Sequence, residues 1–251
     1  MRISFYEEFP TKENLEKLKI VTFPSQVFIA AKCVREYLSI VQTAKTYNKN
    51  TRFGYWPVLE IKDGYWISPF SEKAALDRII EGILSCKKRL DVVWDSELPV
   101  LRPWLFAKNL FSAPGAKRKI LDFCNHANNR LFITENVFVG STWLAKLLGV
   151  YSVGIGLKYK TLMFYSSMMP PGVRFLSLRR IAKEKKLVGQ NLSVAVGVIA
   201  HGIHGREPIL SPAALDCDLK DLKVIGIDHV FVFRLGGLNK EYVRIIKKYV
   251  S

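Results

Sequence analysis

A chain of 251 residues that is 49% hydrophobic can fill a large core, which excludes a disordered or fibrous protein. Its 38 Lys plus Arg against 22 Asp plus Glu leave a net charge of +16, so the surface attracts anions without specifying which. Cys33, Cys86, Cys124 and Cys217 lack metal or redox spacing, and the opening MRISFYEEFP is acidic where a signal peptide is basic and then apolar. The longest uncharged apolar run, Leu147 to Leu157, has 11 residues, where a membrane span needs about 20. These features predict a cytoplasmic protein with no membrane span, whose thiols are reduced and mostly buried.

Eight short runs rich in β-branched and aromatic residues alternate with stretches long enough to return the chain. RISFYEE from Arg2 is the first, and Thr11 then stands as N-cap before KENLEKLK. QVFIAAK from Gln26 and RFGYWPVL from Arg52 follow, after which Ser71 precedes the helical pattern EKAALDRIIEGIL. LDVVWDSE from Leu90, RLFITEN from Arg130, KTLMFYS from Lys160 and LSVAVGVI from Leu192 are the next four. Ser211 and Pro212 open PAALDCDLKDLKVIG, which stops near Gly226, and HVFVFRL from His229 leads into a basic helix, NKEYVRIIKKYV. No hairpin signal joins any pair. The pattern predicts one (β/α)8 TIM barrel of parallel strands over residues 1–251, closed by pairing of the first strand with the eighth. An open doubly wound sheet would carry a nucleotide loop after its first strand, and none is there. Gly154 and Gly156 form the one Gly-x-Gly, but Tyr159 stands where that fingerprint needs a third glycine, and no Walker lysine follows Gly202 or Gly205.

Chemistry in such barrels sits where the strands end. The predicted ends are polar: Glu7 and Glu8, Lys32, Asp95 and Glu97, Glu135, Tyr165 and Ser166, and Arg234, with Trp56 near the end of strand three. A period of two puts Asp91, Val93, Asp95 and Glu97 on one face of strand four. Neighbouring carboxylates repel, which raises one pKa and lets that group keep a proton near neutral pH, as a general acid must. Glu97 is the candidate acid and Asp95 its partner, with Glu135 in the same catalytic cluster and Trp56, Tyr165, Glu7 and Glu8 lining the cleft. Tyr55, Trp56, Tyr65, Trp66, Trp94 and Trp104 crowd the segments after strands three and four. They suit sugar faces, nucleic-acid bases or a core.

Strand four ending in Asp95-x-Glu97 and strand six reading Met163-Phe164-Tyr165 resemble the chitinase-like glycoside hydrolases of family eighteen. The resemblance implies a barrel enzyme acting on an oligosaccharide, with Glu97 as acid, Asp95 tuning it, and Tyr165 holding the substrate acetamido group that serves as nucleophile. Leu90 and Val93 stand where the family carries further aspartates on strand four. Ser166 replaces the aspartate usual after the tyrosine, and strand eight ends in Phe233 and Arg234 without tryptophan.

Two other readings stay open. The loops after strands seven and eight offer Gly202, Gly205 and Arg206, then Arg234, Gly236 and Gly237. Glycine amides and arginine there would suit a phosphorylated, anionic substrate, with the carboxylates holding Mg²⁺ or Mn²⁺. His201, His204 and Glu207 have a ligand-like spacing, although glycines and Pro208 make that segment a loop. A basic barrel binding nucleic acid through its exterior is the third. The carbohydrate reading needs no metal or other cofactor.

Overall fold

The computed structural model describes residues 1–136, 159–170 and 172–250. Its strands are β1 (Arg2–Glu7), β2 (Ser25–Ala31), β3 (Arg52–Pro57), β4 (Asp91–Asp95), β5 (Arg130–Asn136), β6 (Tyr159–Phe164), β7 (Leu192–Gly197) and β8 (His229–Phe233). They form a closed barrel in chain order, and β1 pairs in parallel with β8, Arg2 opposite His229 and Tyr6 opposite Phe233. Every predicted strand is present, so the fold is a (β/α)8 barrel. Apart from β5, the predicted strands run past the observed ends. Strand-like composition continues for a step or two after the backbone leaves the ladder, and Glu8, Lys32, Glu97 and Tyr165 lie in those steps.

The described helices are α1 (Lys12–Glu16), α2 (Val34–Tyr47), α3 (Lys73–Leu84), α4 (Trp104–Asn109), α5 (Ala113–His126), α6 (Val173–Val188), α7 (Pro212–Ile225) and α8 (Lys240–Lys247). Thr11 and Ser211 cap α1 and α7 through their hydroxyls, and Gly226 ends α7 in the left-handed conformation at φ 85°, a region that glycine enters without strain. Ser71 does not cap α3. Its hydroxyl donates to the Trp66 carbonyl at 3.0 Å and accepts from the Ser68 N–H at 3.0 Å, so it ties the loop after β3 instead. The thiols also depart from expectation: Cys124 is buried, but Cys33 and Cys217 are exposed. Cys33 sits at the N-cap of α2, where its sulfur accepts from the Glu36 N–H. Gly154, Gly156 and the apolar run 147–157 lie outside the described residues. Among the described residues no helix is long and apolar enough to cross a membrane.

Strand alternation splits the core in two. Outward side chains such as Phe5, Ile29, Trp94, Ile133 and Val232 pack with the helix faces, which supply Val41, Leu76, Phe123 and Leu219. Inward side chains form a second cluster around Phe28, Phe132 and Phe231, whose ring centroids are 5.2 to 5.6 Å apart. These three rings fill the barrel at mid-height, so it is a packed core and not a pore. Below them Gln26 Nε2 donates to Asp91 at 2.6 Å, Arg130 pairs with the same carboxylate, and Ser4 is hydrogen-bonded to His229 at 2.8 Å.

Room for the Phe28 ring comes from Gly54 on the neighbouring strand: a Cβ there would lie 2.3 Å from Phe28 Cε1. Overpacking a filled layer forces side chains off their rotamers. Gly54→Ala is therefore expected to lower stability by about 1–3 kcal/mol, read as a lower denaturant midpoint in equilibrium unfolding.

Candidate active site

Above the phenylalanine layer, at the carboxyl ends of the strands, lies a pocket of about 130 Å³, roughly ten times the space one water needs. Its acidic lining is Glu8 just past β1, Asp95 and Glu97 at the end of β4, and Glu207 in the loop between β7 and α7. Trp56, Trp66, Tyr165 and Phe233 supply aromatic walls. Each position follows from the chain. Tyr6 and Glu8 are alternate residues, so both face inward, and the Tyr6 hydroxyl meets Thr134 Oγ1 at 3.2 Å. Ile67 N–H donates to the Asp95 carbonyl at 3.3 Å, which seats the loop after β3 on the end of β4 and brings Trp66 into the lining.

Burial controls the acid strengths. Loss of water raises the Asp95 pKa well above the usual carboxylate range, and the Glu97 and Glu8 charges push it further. The Trp56 indole lies close enough to Asp95 to oppose that rise, although no hydrogen bond of ordinary geometry joins them. Glu97 is pushed up to about 7 by burial and then by Glu8. Asp95 and Glu97 therefore titrate as one unit and hold a proton near neutrality. Glu8 is also pushed up to about 7 by burial, against the Tyr65 hydroxyl that donates to its Oε1 at 2.7 Å. Burial raises the Tyr165 pKa too, so its phenol stays neutral and able to donate.

The expected cluster is only partly assembled in the pocket. Asp95, Glu97, Glu8, Tyr165 and Trp56 line it together. Glu135 does not: Thr134 takes the inward position on β5, and Glu135 turns toward the helix layer, 3.2 Å from the Lys160 ammonium. Lys160 in turn reaches Glu184 of α6 at 3.1 Å, so this carboxylate belongs to a buried ion-pair group. Glu7 is one step out of phase with Glu8 and also faces away. It accepts from Arg234 Nη1 at 2.9 Å, from Phe9 N at 2.8 Å and from Gly236 N at 2.6 Å. Arg234 also donates to the His201 carbonyl at 2.9 Å. Arg234 and Gly236, expected to clamp a phosphate, thus hold the chain's own carboxylate.

Gly237 packs on the Ile199 carbonyl too closely for any Cβ, and Arg206 is exposed on its loop outside the pocket lining. Lys32 pairs with Glu60 at 2.7 Å on the surface. Of the aromatic group, Tyr55 and Trp94 belong to the outer core, and Trp104 is half exposed beneath Lys108. His201, His204 and Glu207 lie in a loop and not on a helix, with His201 Nδ1 3.8 Å from Glu207 Oε2. Among the described residues no group of three or more His, Cys, Asp or Glu is placed to hold a metal ion. Tyr6 and Thr134 were legible as inward alternates of Glu8 and Phe132. Nothing local marks Glu207 as a partner of Glu8, since they meet only across the closed ring.

No protein-family model and no curated protein matches the sequence. Solved structures do match in fold. The C-terminal domain of a putative chitinase from Desulfitobacterium hafniense aligns at TM-score 0.64 and 10% identity, covering 100% of this chain and 99% of that one. The Bacillus cereus spore cortex-lytic enzyme SleL aligns at 0.61 and 12%, covering 100% and 74%. The family GH18 chitinase from Cycas revoluta aligns at 0.59 and 9%, covering 100% of both. The chain thus has a chitinase-like TIM barrel.

Two expectations follow from the buried acids. Glu7, Glu8 and Glu97 each rise from 4.5 to about 7 on folding, so the native state binds more protons than the unfolded chain within that window. Their contribution is favourable at low pH and is lost as pH rises from about 4.5 through about 7. Thermal unfolding midpoints should fall across that range, and Glu8→Gln should flatten the decline. Arg234→Gln removes the partner of a fully buried carboxylate and should cost about 3–5 kcal/mol above pH 7. The loss should shrink toward about pH 5, where Glu7 is protonated; denaturant titrations at both pH values measure the difference.

Proposed function

We propose that the protein is a glycoside hydrolase that cleaves a saccharide by carboxylate acid/base catalysis, with Glu97 as the proton donor. The observation that carries this reading is the Asp95 and Glu97 pair: alternate residues of one strand end, both lining the pocket, where lost solvation raises the proton affinity of the pair as a unit. The chitinase-like fold supports it.

In this mechanism protonated Glu97 gives its proton to the glycosidic oxygen as the bond from that oxygen to the sugar carbon breaks. The sugar ring gains positive charge, which the Asp95 and Glu97 pair, now without that proton, stabilises, while the Tyr165 hydroxyl donates a hydrogen bond to the substrate. Water then adds to the sugar carbon and gives its proton to ionised Glu97, which restores the acid. Trp56 and Trp66 offer flat apolar faces for sugar rings. Turnover requires the protonated acid, so it should decline as pH rises through about 7.

The test is release of chromophore from aryl glycosides of N-acetylglucosamine oligomers and of other β-linked sugars. Glu97→Gln should lower kcat about 10²- to 10⁴-fold with the far-ultraviolet dichroism unchanged. Wild-type turnover that survives this substitution, or no turnover on any glycoside, would overturn the assignment.

A further inference from the structure

The pocket holds more carboxyl groups than acid/base chemistry needs, with Glu8 and Glu207 beside Asp95 and Glu97. Glu8 and Glu207 come together on either side of Gly202: a Cβ on that glycine would lie 2.8 Å from Glu8 Oε2 and 3.0 Å from Glu207 Oε1. Both residues are more than nine-tenths buried, at 5% and 8% exposure. The Tyr65 hydroxyl and the His204 N–H each satisfy one oxygen, at 2.7 and 3.2 Å. The other oxygens, Glu8 Oε2 and Glu207 Oε2, are buried and make no hydrogen bond within the chain, the exposed His201 ring standing 3.8 Å from Glu207 Oε2. Among the described residues no lysine or arginine lines the pocket, and the nearby Arg234 is engaged by Glu7 and a carbonyl.

A carboxylate oxygen buried without a donor is costly, and a cationic donor offsets that cost best. Among the described residues no three His, Cys, Asp or Glu side chains converge here as metal ligands. An organic ammonium fits better, because it needs no closed ligand shell and gains from the aromatic faces of Trp66 and Phe233 beside it.

We infer that Glu8 and Glu207 form a subsite for an ammonium group, so that the saccharide bound in this pocket carries at least one free amine. The inference rests on the carbohydrate reading above and names its substrate class: an amino sugar that is at least partly unacetylated. The positive exterior of the chain opposes a cationic ligand at long range, so the preference arises from the carboxyl groups of the pocket.

Calorimetric titration with three β-1,4-linked tetramers tests it: glucosamine, N-acetylglucosamine and glucose, each near pH 6.5. The glucosamine tetramer should bind about tenfold or more tighter than the glucose tetramer. Glu8→Gln and Glu207→Gln, close in shape to the native side chains, should each remove most of that preference. Binding of the glucose tetramer should persist in both, which also reports an intact pocket. Equal or weaker binding of the amine-bearing tetramer overturns the subsite and leaves the carbohydrate reading standing. A preference that survives both substitutions overturns it as well. If no tetramer binds the wild-type protein, the carbohydrate reading falls and the subsite with it.

Discussion

A carboxylate removed from water must find a proton, a cation or several hydrogen-bond donors, and this barrel removes a cluster of them. Phe28, Phe132 and Phe231 block the interior just below the pocket, so solvent cannot reach Asp95 from beneath. Trp56 and Trp66 restrict it from the sides. The raised proton affinities of Asp95, Glu97 and Glu8 follow from that packing and from their mutual repulsion. The aromatic layer is therefore as much a part of the site's electrostatics as of the barrel's stability.

The same rule explains why two neighbouring glutamates have different fates. Glu7 faces the outer layer and is neutralised internally by Arg234 and the Gly236 amide. This pair links the end of β1 to the turn after β8, the seam where the ring closes. Glu8, one residue on, faces the pocket and keeps an oxygen without a donor. One carboxylate is answered within the fold, and the other lines the pocket with an oxygen that no donor in the chain meets. The loop glycines sort in the same way: Gly237 permits close packing on Ile199, and Gly202 makes room between two acids.

Much of the fold was legible because a barrel repeats one local pattern. Short β-rich runs, separated by capped helices and lacking hairpin turns, leave few alternatives to a parallel ring. The β4 acids were legible for a related reason, since a period of two is a property of the strand itself. Glu135 shows where this fails. Its position at a strand end resembles that of Asp95, but the phase of β5 turns Thr134 inward and sends Glu135 to Lys160. Ser71 fails similarly: its hydroxyl has a choice of partners, and the loop around Trp66 offers better ones than the helix end.

By itself the sequence determined the strand count, the closed parallel topology and the pairing of Asp95 with Glu97, because each follows from the period and length of contiguous segments. Tertiary structure alone decided which face each strand end presents, that Glu7 answers Arg234, and that Glu207 comes beside Glu8 from the far side of the chain. Those outcomes depend on ring closure, which fixes the phase of all eight strands together and brings distant residues within reach of one another's charge.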